Sequence, residues 1–325
     1  MRTPSDQDFA SIKNQPTILV LVGPTASGKT AVSLHLARLL GGEIISADSR
    51  QVYKHLDIGT AKPAREERTR IPHHFLDELN PDQEFNAGEF GQGGRELIRR
   101  LFQKRRLPIV VGGSGLYVRS LIDGIFEGPG ADEEYRKILE QRLRDFGVGK
   151  LLDELRAVDP ESAARIDPTK PRRIIRALEV YRATGRPLSA LHKESAPQIH
   201  FRAVQFGLMW ERKTLYERID ARCDKMLRGG LLKEVDDLER RGYTDKLNAL
   251  KTVGYAEAFA FRRGAISYDE MVRLFKQNSR RYAKRQLTWF QRDSRIQWRH
   301  VSREDRLTDV AREIAADFRS VAFLA

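Results

Sequence analysis

At 325 residues, with 40% hydrophobic and 32% charged side chains, the chain can bury a substantial core and is too apolar to be a disordered protein. A net charge of +13 favours an anionic partner such as nucleic acid or a membrane surface, although a plain basic globular protein fits the same number. The single cysteine, Cys223, excludes an internal disulfide and any zinc cluster built from several thiolates of this chain.

The N-terminal stretch MRTPSDQDFA lacks the apolar core of a secretory signal, and no apolar run reaches the roughly 20 residues of a membrane-spanning helix, so a cytoplasmic protein with no membrane partner is expected. Thr17 to Val22 (TILVLV) then reads as a buried parallel strand ending at glycine. From Lys29 to Leu40 the residues Val32, Leu36, Leu39 and Leu40 recur at helical spacing, and Gly41-Gly42 supplies a stop. Further strands are predicted at Glu43 to Ala47, ending at Asp48, and at Ile109 to Val111, ending at Gly112-Gly113 after a basic helix around Arg95 to Arg106. Strands joined by helices imply a parallel sheet.

Beyond residue 120 the sequence becomes charged and helix-forming, with breaks at Asp159-Pro160 and Asp167-Pro168. Val204 to Met209 predicts a return to the sheet, followed by helical periodicity from Thr214 through Leu238 and a long basic helix from about Asp269 to Phe290. A short strand near Ile296 to Trp298 and a terminal helix close the chain. The expected architecture is α/β: a P-loop NTPase-like parallel sheet flanked by helices, formed by residues 1–120 and 200–325, with a helical insertion at 121–199.

Gly23-Pro24-Thr25-Ala26-Ser27-Gly28-Lys29-Thr30 matches the phosphate-loop pattern between a predicted strand and a predicted helix. Backbone N–H groups and the helix N-terminus suit phosphate oxygens, Lys29 supplies a cation, and the Thr30 hydroxyl can ligate Mg²⁺. The reaction is left open by this motif. Asp48 is a candidate general base or magnesium organiser, and a turn or helix-capping aspartate is the competing reading. Ser114, in Gly112-Gly113-Ser114-Gly115, could donate to a phosphate oxygen or belong to a plain glycine-rich turn. Arg218 and Arg222 lie four apart on one helix face; either could reach a diphosphate, and surface ion pairing explains both equally. Two basic clusters, Lys170-Arg172-Arg173-Arg176 and Arg280-Arg281-Lys284-Arg285, could grip a polyanion or be solvated faces. Val272, Phe275, Tyr282 and Trp289 keep near-helical spacing and read as core ahead of base-stacking residues.

Taken together, GPTASGKT, ISADSRQVYKHLDIGTAKP (Ile45 to Pro63), VGGSGLY (Val111 to Tyr117), PRRIIRALEV (Pro171 to Val180) and YAKRQLTWF (Tyr282 to Phe290) closely resemble the tRNA dimethylallyltransferases, in that family's order and over almost the whole chain. The resemblance implies transfer of a dimethylallyl group from dimethylallyl diphosphate to N6 of the adenosine 3′ of the tRNA anticodon, with Mg²⁺ and without ATP. It implies that Asp48 is the general base, that Thr30 and Asp48 hold magnesium, directly or through water, and that Arg222 contacts the donor. Ser114 stands where the family usually has threonine, near the bridging oxygen of the diphosphate. The resemblance assigns tRNA contact to Asp48, Ser49, Arg50, Gln51, Ser114, Arg172, Arg173, Arg176, Lys251, Tyr255, Lys284 and Arg285. Where Ala256 stands the family more often has a polar or basic residue. A bacterial-type enzyme is implied, because the added zinc finger of eukaryotic relatives would need more cysteine than this chain holds. An ATP-dependent metabolite kinase and an RNA-binding nucleotide switch are the alternatives to this reading, and a monomer is the expected state.

Overall fold

The computed structural model describes residues 16–125, 128–130, 132–194 and 199–323; the N-terminal stretch read for a secretory signal lies outside them. In chain order the elements are β1 (Thr17–Val22), α1 (Lys29–Leu40), β2 (Gly42–Ser46), α2 (Arg65–Arg70), β3 (His73–His74), α3 (Ala87–Gln103), β4 (Leu107–Gly112) and α4 (Gly115–Ile122). Then come α5 (Glu133–Val158), α6 (Pro160–Arg165), α7 (Pro171–Thr184), α8 (Leu188–Glu194), β5 (Arg202–Trp210), α9 (Arg212–Arg228), α10 (Leu231–Arg240), α11 (Tyr255–Arg262), α12 (Tyr268–Phe290), β6 (Ile296–Val301) and α13 (Leu307–Phe323).

The six strands form one sheet in the order β3-β2-β4-β1-β5-β6, every neighbouring pair parallel. Ile18 through Val22 are inaccessible to solvent, as expected of a central strand covered by helices on both faces. Strand order reverses about β1, with β4 and β2 on one side and β5 and β6 on the other. Ligands bind at such a switch point, beyond the carboxyl ends of the strands. The register aligns Val22 with Gly112, and Ser46 with Val111, so the turns after β1, β2 and β4 emerge side by side.

Two expectations about individual elements are corrected, and one strand is added. The periodicity from Thr214 through Leu238 belongs to two helices, α9 and α10, because the chain breaks at Gly229-Gly230, where Gly230 has φ 100°. The basic helix begins at the Asn86 cap and ends at Gln103, so Lys104 to Arg106 form a turn, with Arg105 at φ 54°. The two-residue β3 carries too little apolar pattern to be found from sequence.

By its contacts the chain divides into two units, residues 1–122 with 199–325, and residues 123–198. The second unit has its own core of Leu139, Leu151, Leu155, Ile174 and Leu178. Its helix α5 is interrupted at Gly147, and buried Asp159 caps α6 through Ser162 N–H at 3.0 Å while accepting from Ser189 N–H at 2.9 Å. No helix among the described residues is long and apolar enough to cross a membrane.

Candidate active site

The sequence places a phosphate loop between a buried strand and an amphipathic helix, and the backbone there adopts a conformation suited to anions. Ala26 and Gly28 both have left-handed φ, at 62° and 90°. At Gly28 a Cβ would also meet Leu307 of α13 at 2.7 Å, so glycine is needed for conformation and for space. The N–H groups of the first turn of α1 have no partner within the helix and face the loop, where the macrodipole favours negative charge.

A cavity of about 680 Å³ opens over this loop, lined by Thr25 to Thr30, Asp48, Arg50, Gln51, Gly112, Gly113, Arg222 and Tyr282, among others. Lys29 Nζ lies 2.6 Å from the Pro24 carbonyl. Burial, then the positive charge of Arg222, push the Lys29 pKa from 10.5 down to about 7, against the opposing pull of Asp48. Arg222 is itself desolvated, and its strongest favourable interaction is with Asp48. Lys29, Arg222 and Asp48 therefore act on one another across the same cavity. An arrangement with cations pushed together in this way favours a polyanion, whose arrival would restore charge to Lys29.

Asp48 follows β2 at the sheet's carboxyl edge. Its Oδ1 accepts from Arg50 N–H at 2.9 Å and Gln51 N–H at 3.4 Å, so the turn-forming aspartate of the competing reading is present. The same residue lines the cavity, so the turn orients the carboxylate toward it and does not exclude a chemical role. Arg50 and Gln51 are also tied down: Arg50 Nη1 donates to the Asn248 carbonyl at 2.8 Å, and Gln51 Nε2 donates to the Thr60 carbonyl at 3.1 Å.

Arg218 and Arg222, four apart on α9, both line the cavity and have different partners. Arg218 donates from Nε to the Ala26 carbonyl at 3.0 Å, stacks over Trp210 with its guanidinium carbon 4.2 Å from the ring centroid, and pairs with Glu304 at 3.1 Å. It braces the phosphate loop and also lines the cavity. Arg222 is the guanidinium coupled to Lys29 and Asp48.

Ser114 lies at the start of α4. Its hydroxyl accepts from Ser49 N–H at 3.1 Å and is hydrogen-bonded to Tyr282, whose phenol is pushed up to about 12 by burial and then by Asp48. Tyr282 and Trp289 are half-buried, and Tyr282 lines the cavity, which corrects its reading as a core residue. One face of α12 instead docks on the glycine turn. Tyr282 meets Ser114, Gln286 meets Gly113, and Trp289 stands where a Cβ at Gly115 would lie 2.1 Å from its ring. Gln286 is buried and bridges two loops, accepting from Thr25 N–H at 2.8 Å and donating to the Gly113 carbonyl at 2.9 Å. Sequence reasoning passed over it; the spacing of 282, 286 and 289 on one helical face was the available signal.

The remaining residues assigned to tRNA contact separate into exposed and engaged groups. Lys251, Lys284 and Arg285 are exposed on the first unit, and Arg172 and Arg173 on the second. Direct contact through Tyr255 is corrected: it is fully buried, and its hydroxyl donates to Glu234 at 2.5 Å. Arg176 is half-buried and engaged, donating to the Pro129 carbonyl at 2.8 Å and pairing with buried Glu179 at 3.3 Å. Ala256 is exposed on α11, and Cys223 is buried beside Ser279 with its thiol pKa raised by burial.

No group of three or more histidine, cysteine or carboxylate side chains able to cage a metal occurs among the described residues. The cavity does present the Thr30 hydroxyl and the Asp48 carboxylate among its lining groups. This hard-oxygen set fits Mg²⁺, which binds through one or two protein oxygens together with substrate phosphates and water.

Residues 51–293 match the family model described as IPP transferase. The chain is 46% identical over 284 residues to a tRNA dimethylallyltransferase of Cytophaga hutchinsonii, covering 87% of this chain and 92% of the relative. It is 48% identical over 283 residues to one of Salinibacter ruber, covering 87% of each. Among solved structures, the tRNA isopentenylpyrophosphate transferase of Bacillus halodurans is similar with a TM-score of 0.69 and 38% identity, over 96% of this chain and 99% of that one. A eukaryotic dimethylallyltransferase acting on tRNA gives a TM-score of 0.77 at 25% identity, over 94% and 80%. With a family model matched over most of its length and relatives this similar, the chain belongs to the IPP transferase family of prenyltransferases, the tRNA dimethylallyltransferases.

Proposed function

We propose that this chain acts in the cytoplasm as a monomer, transferring the dimethylallyl group of dimethylallyl diphosphate to N6 of the adenosine 3′ of the tRNA anticodon. The observation that carries this reading is the meeting of Lys29, Arg222 and Asp48 over the phosphate loop. In the proposed step the allylic C1–O bond breaks, its electron pair stays on the diphosphate, and N6 forms the new bond to C1. Lys29, Arg222 and the loop N–H groups stabilise charge on the departing oxygen, a contribution that grows in a desolvated site. Mg²⁺ held by Thr30 and Asp48 would add Lewis-acid stabilisation of the diphosphate.

The adenine amine is weakly nucleophilic because its lone pair is delocalised, so its proton must be accepted as the bond forms. Asp48 is the proposed acceptor, its carboxylate oriented by the Arg50 and Gln51 amides. Ser114 and Tyr282 would order the same edge of the cavity. The target base must leave the anticodon stack to reach this depth, as enzymes acting on bases require. The exposed cations Lys251, Lys284 and Arg285, together with Arg172 and Arg173, supply candidate phosphate contacts. The second pair supports this reading physically: it occupies the first turn of α7, which holds no acidic residue and where the helix dipole disfavours cations.

The test is incorporation of labelled dimethylallyl group into an anticodon stem-loop RNA with Mg²⁺ and no ATP, comparing adenosine with guanosine 3′ of the anticodon. Adenosine-dependent incorporation is expected. Folded protein that binds the RNA yet transfers nothing would overturn the reading, and ATP-dependent phosphorylation would replace it with a kinase.

A further inference from the structure

The loop after β2 is held by a carboxylate from another part of the chain. Glu234, on α10, collects four donors: Asp57 N–H at 3.0 Å, Ile58 N–H at 2.7 Å, Gly59 N–H at 3.1 Å and the Tyr255 hydroxyl at 2.5 Å. Three consecutive amides converging on one carboxylate form an anion-binding concavity, here filled by the protein's own side chain. Packing leaves little freedom around it. A Cβ on Gly59 would lie 2.5 Å from the Tyr255 ring, so glycine is required for the tyrosine to pass beneath the loop.

The clamp leads directly to the cavity. Gly59, Thr60, Ala61 and Pro63 line it, and the Thr60 and Ala61 carbonyls accept from the side-chain amide of Gln51. The Gln51 backbone N–H in turn reaches Asp48 Oδ1. A continuous path of hydrogen bonds thus runs from Glu234 through residues 57–61 and Gln51 to the candidate base. None of these hydrogen bonds involves the phosphate loop.

We infer that Glu234 is a positioning residue for the acceptor side of the site: by fixing residues 57–61 it aims Gln51 and the Asp48 carboxylate, while diphosphate binding is independent of it. The inference rests on the transfer reaction proposed above. Shortening the clamp or changing its charge lets the loop shift, and a displacement on the order of 1 Å at a reacting group can lower turnover about 100-fold.

The experiment measures kcat, both KM values and diphosphate affinity by calorimetry for wild type, Glu234→Gln, Glu234→Asp and Tyr255→Phe. Glu234→Gln keeps the side-chain volume but turns an NH₂ toward at least one backbone N–H. It is expected to lower kcat/KM for the RNA by about 30- to 100-fold while diphosphate Kd stays within about twofold. Tyr255→Phe, which removes one donor of four, is expected to remain within about fivefold of wild type, with Glu234→Asp between the two. A carboxylate that served stability alone would lower Tm and the active fraction, leaving the KM values of folded molecules and the ratio of RNA to diphosphate effects unchanged. That pattern, or normal transfer by folded Glu234→Gln, overturns the inference. If Glu234→Gln fails to fold, Glu234→Asp decides by the same split. Loss of transfer in the wild type would instead refute the proposed function.

Discussion

Replacing Lys29 by methionine should abolish transfer yet make the ligand-free protein more stable. Lowering this lysine from 10.5 to about 7 means that the fold opposes its charge. At about 1.4 kcal/mol per pH unit the shift corresponds to roughly 5 kcal/mol below pH 7, and because the side chain keeps partial solvent access we take about 2–4 kcal/mol as the effective figure. The sign follows from linkage. Between pH 7 and 10.5 the unfolded chain binds more protons at this position than the folded one, so wild-type stability rises with pH across that window and the penalty is fully present below it. Methionine, similar in length and uncharged, should raise Tm by about 4–10 °C at pH 6.5, and the advantage should fade as pH approaches 10. Diphosphate should reverse the order, stabilising the wild type by mass action and the variant far less. Differential scanning calorimetry from pH 6 to 10, with and without diphosphate, reads all three effects. A variant equal to or less stable than wild type at pH 6.5, or a difference independent of pH, would refute the claim that the surroundings of Lys29 oppose its charge.

The two arginines of α9 should separate cleanly: Arg222→Ala is expected to lower kcat/KM by about 2–4 kcal/mol with little loss of Tm, whereas Arg218→Ala should chiefly destabilise, by about 1–2 kcal/mol, as measured by kinetics and thermal melts. Asp48→Asn should lower kcat by about 10²- to 10⁴-fold with diphosphate affinity retained, and unchanged turnover would remove its role as base. Gln286→Leu leaves the Thr25 amide and the Gly113 carbonyl unpaired, so a stability loss of about 2–4 kcal/mol is expected, readable in denaturant melts. Reversing Arg172 and Arg173 to glutamate should weaken RNA binding and flatten its dependence on salt by about 0.7–0.9 per lost contact in a log–log plot, with donor KM unchanged.

The phosphate loop, the parallel sheet and Asp48 at a strand end were legible because each rests on local chemistry: an apolar run, a glycine at a special φ, a residue at a fixed offset. Gln286 and Glu234 were not legible, since nothing about a glutamine within a basic helix or a glutamate on an amphipathic one shows that its partner lies far along the chain. Arg222 and Arg218 share a helix and a spacing, so spacing alone did not separate them; the resemblance named Arg222, and the packing of α9 against the loop gives Arg218 partners of its own. Tyr255 misled for the opposite reason. Its tRNA contact was implied only by the resemblance of KTVGYA to a family segment, and the glycine at position 59 against which its ring packs is itself uninformative in sequence.

The docking of α12 on the glycine turn also bears on how the protein is made. Gln286 joins Thr25 across 261 positions and Gly113 across 173, so these loop contacts form only after residue 286 has left the ribosome. The nascent protein thus carries a phosphate-binding sequence long before it has a finished phosphate-binding site. A chain cut short anywhere before this helix would expose Gly113 and Gly115 to water and lack the brace on Thr25, so synthesis itself delays completion of the loop until α12 is in place.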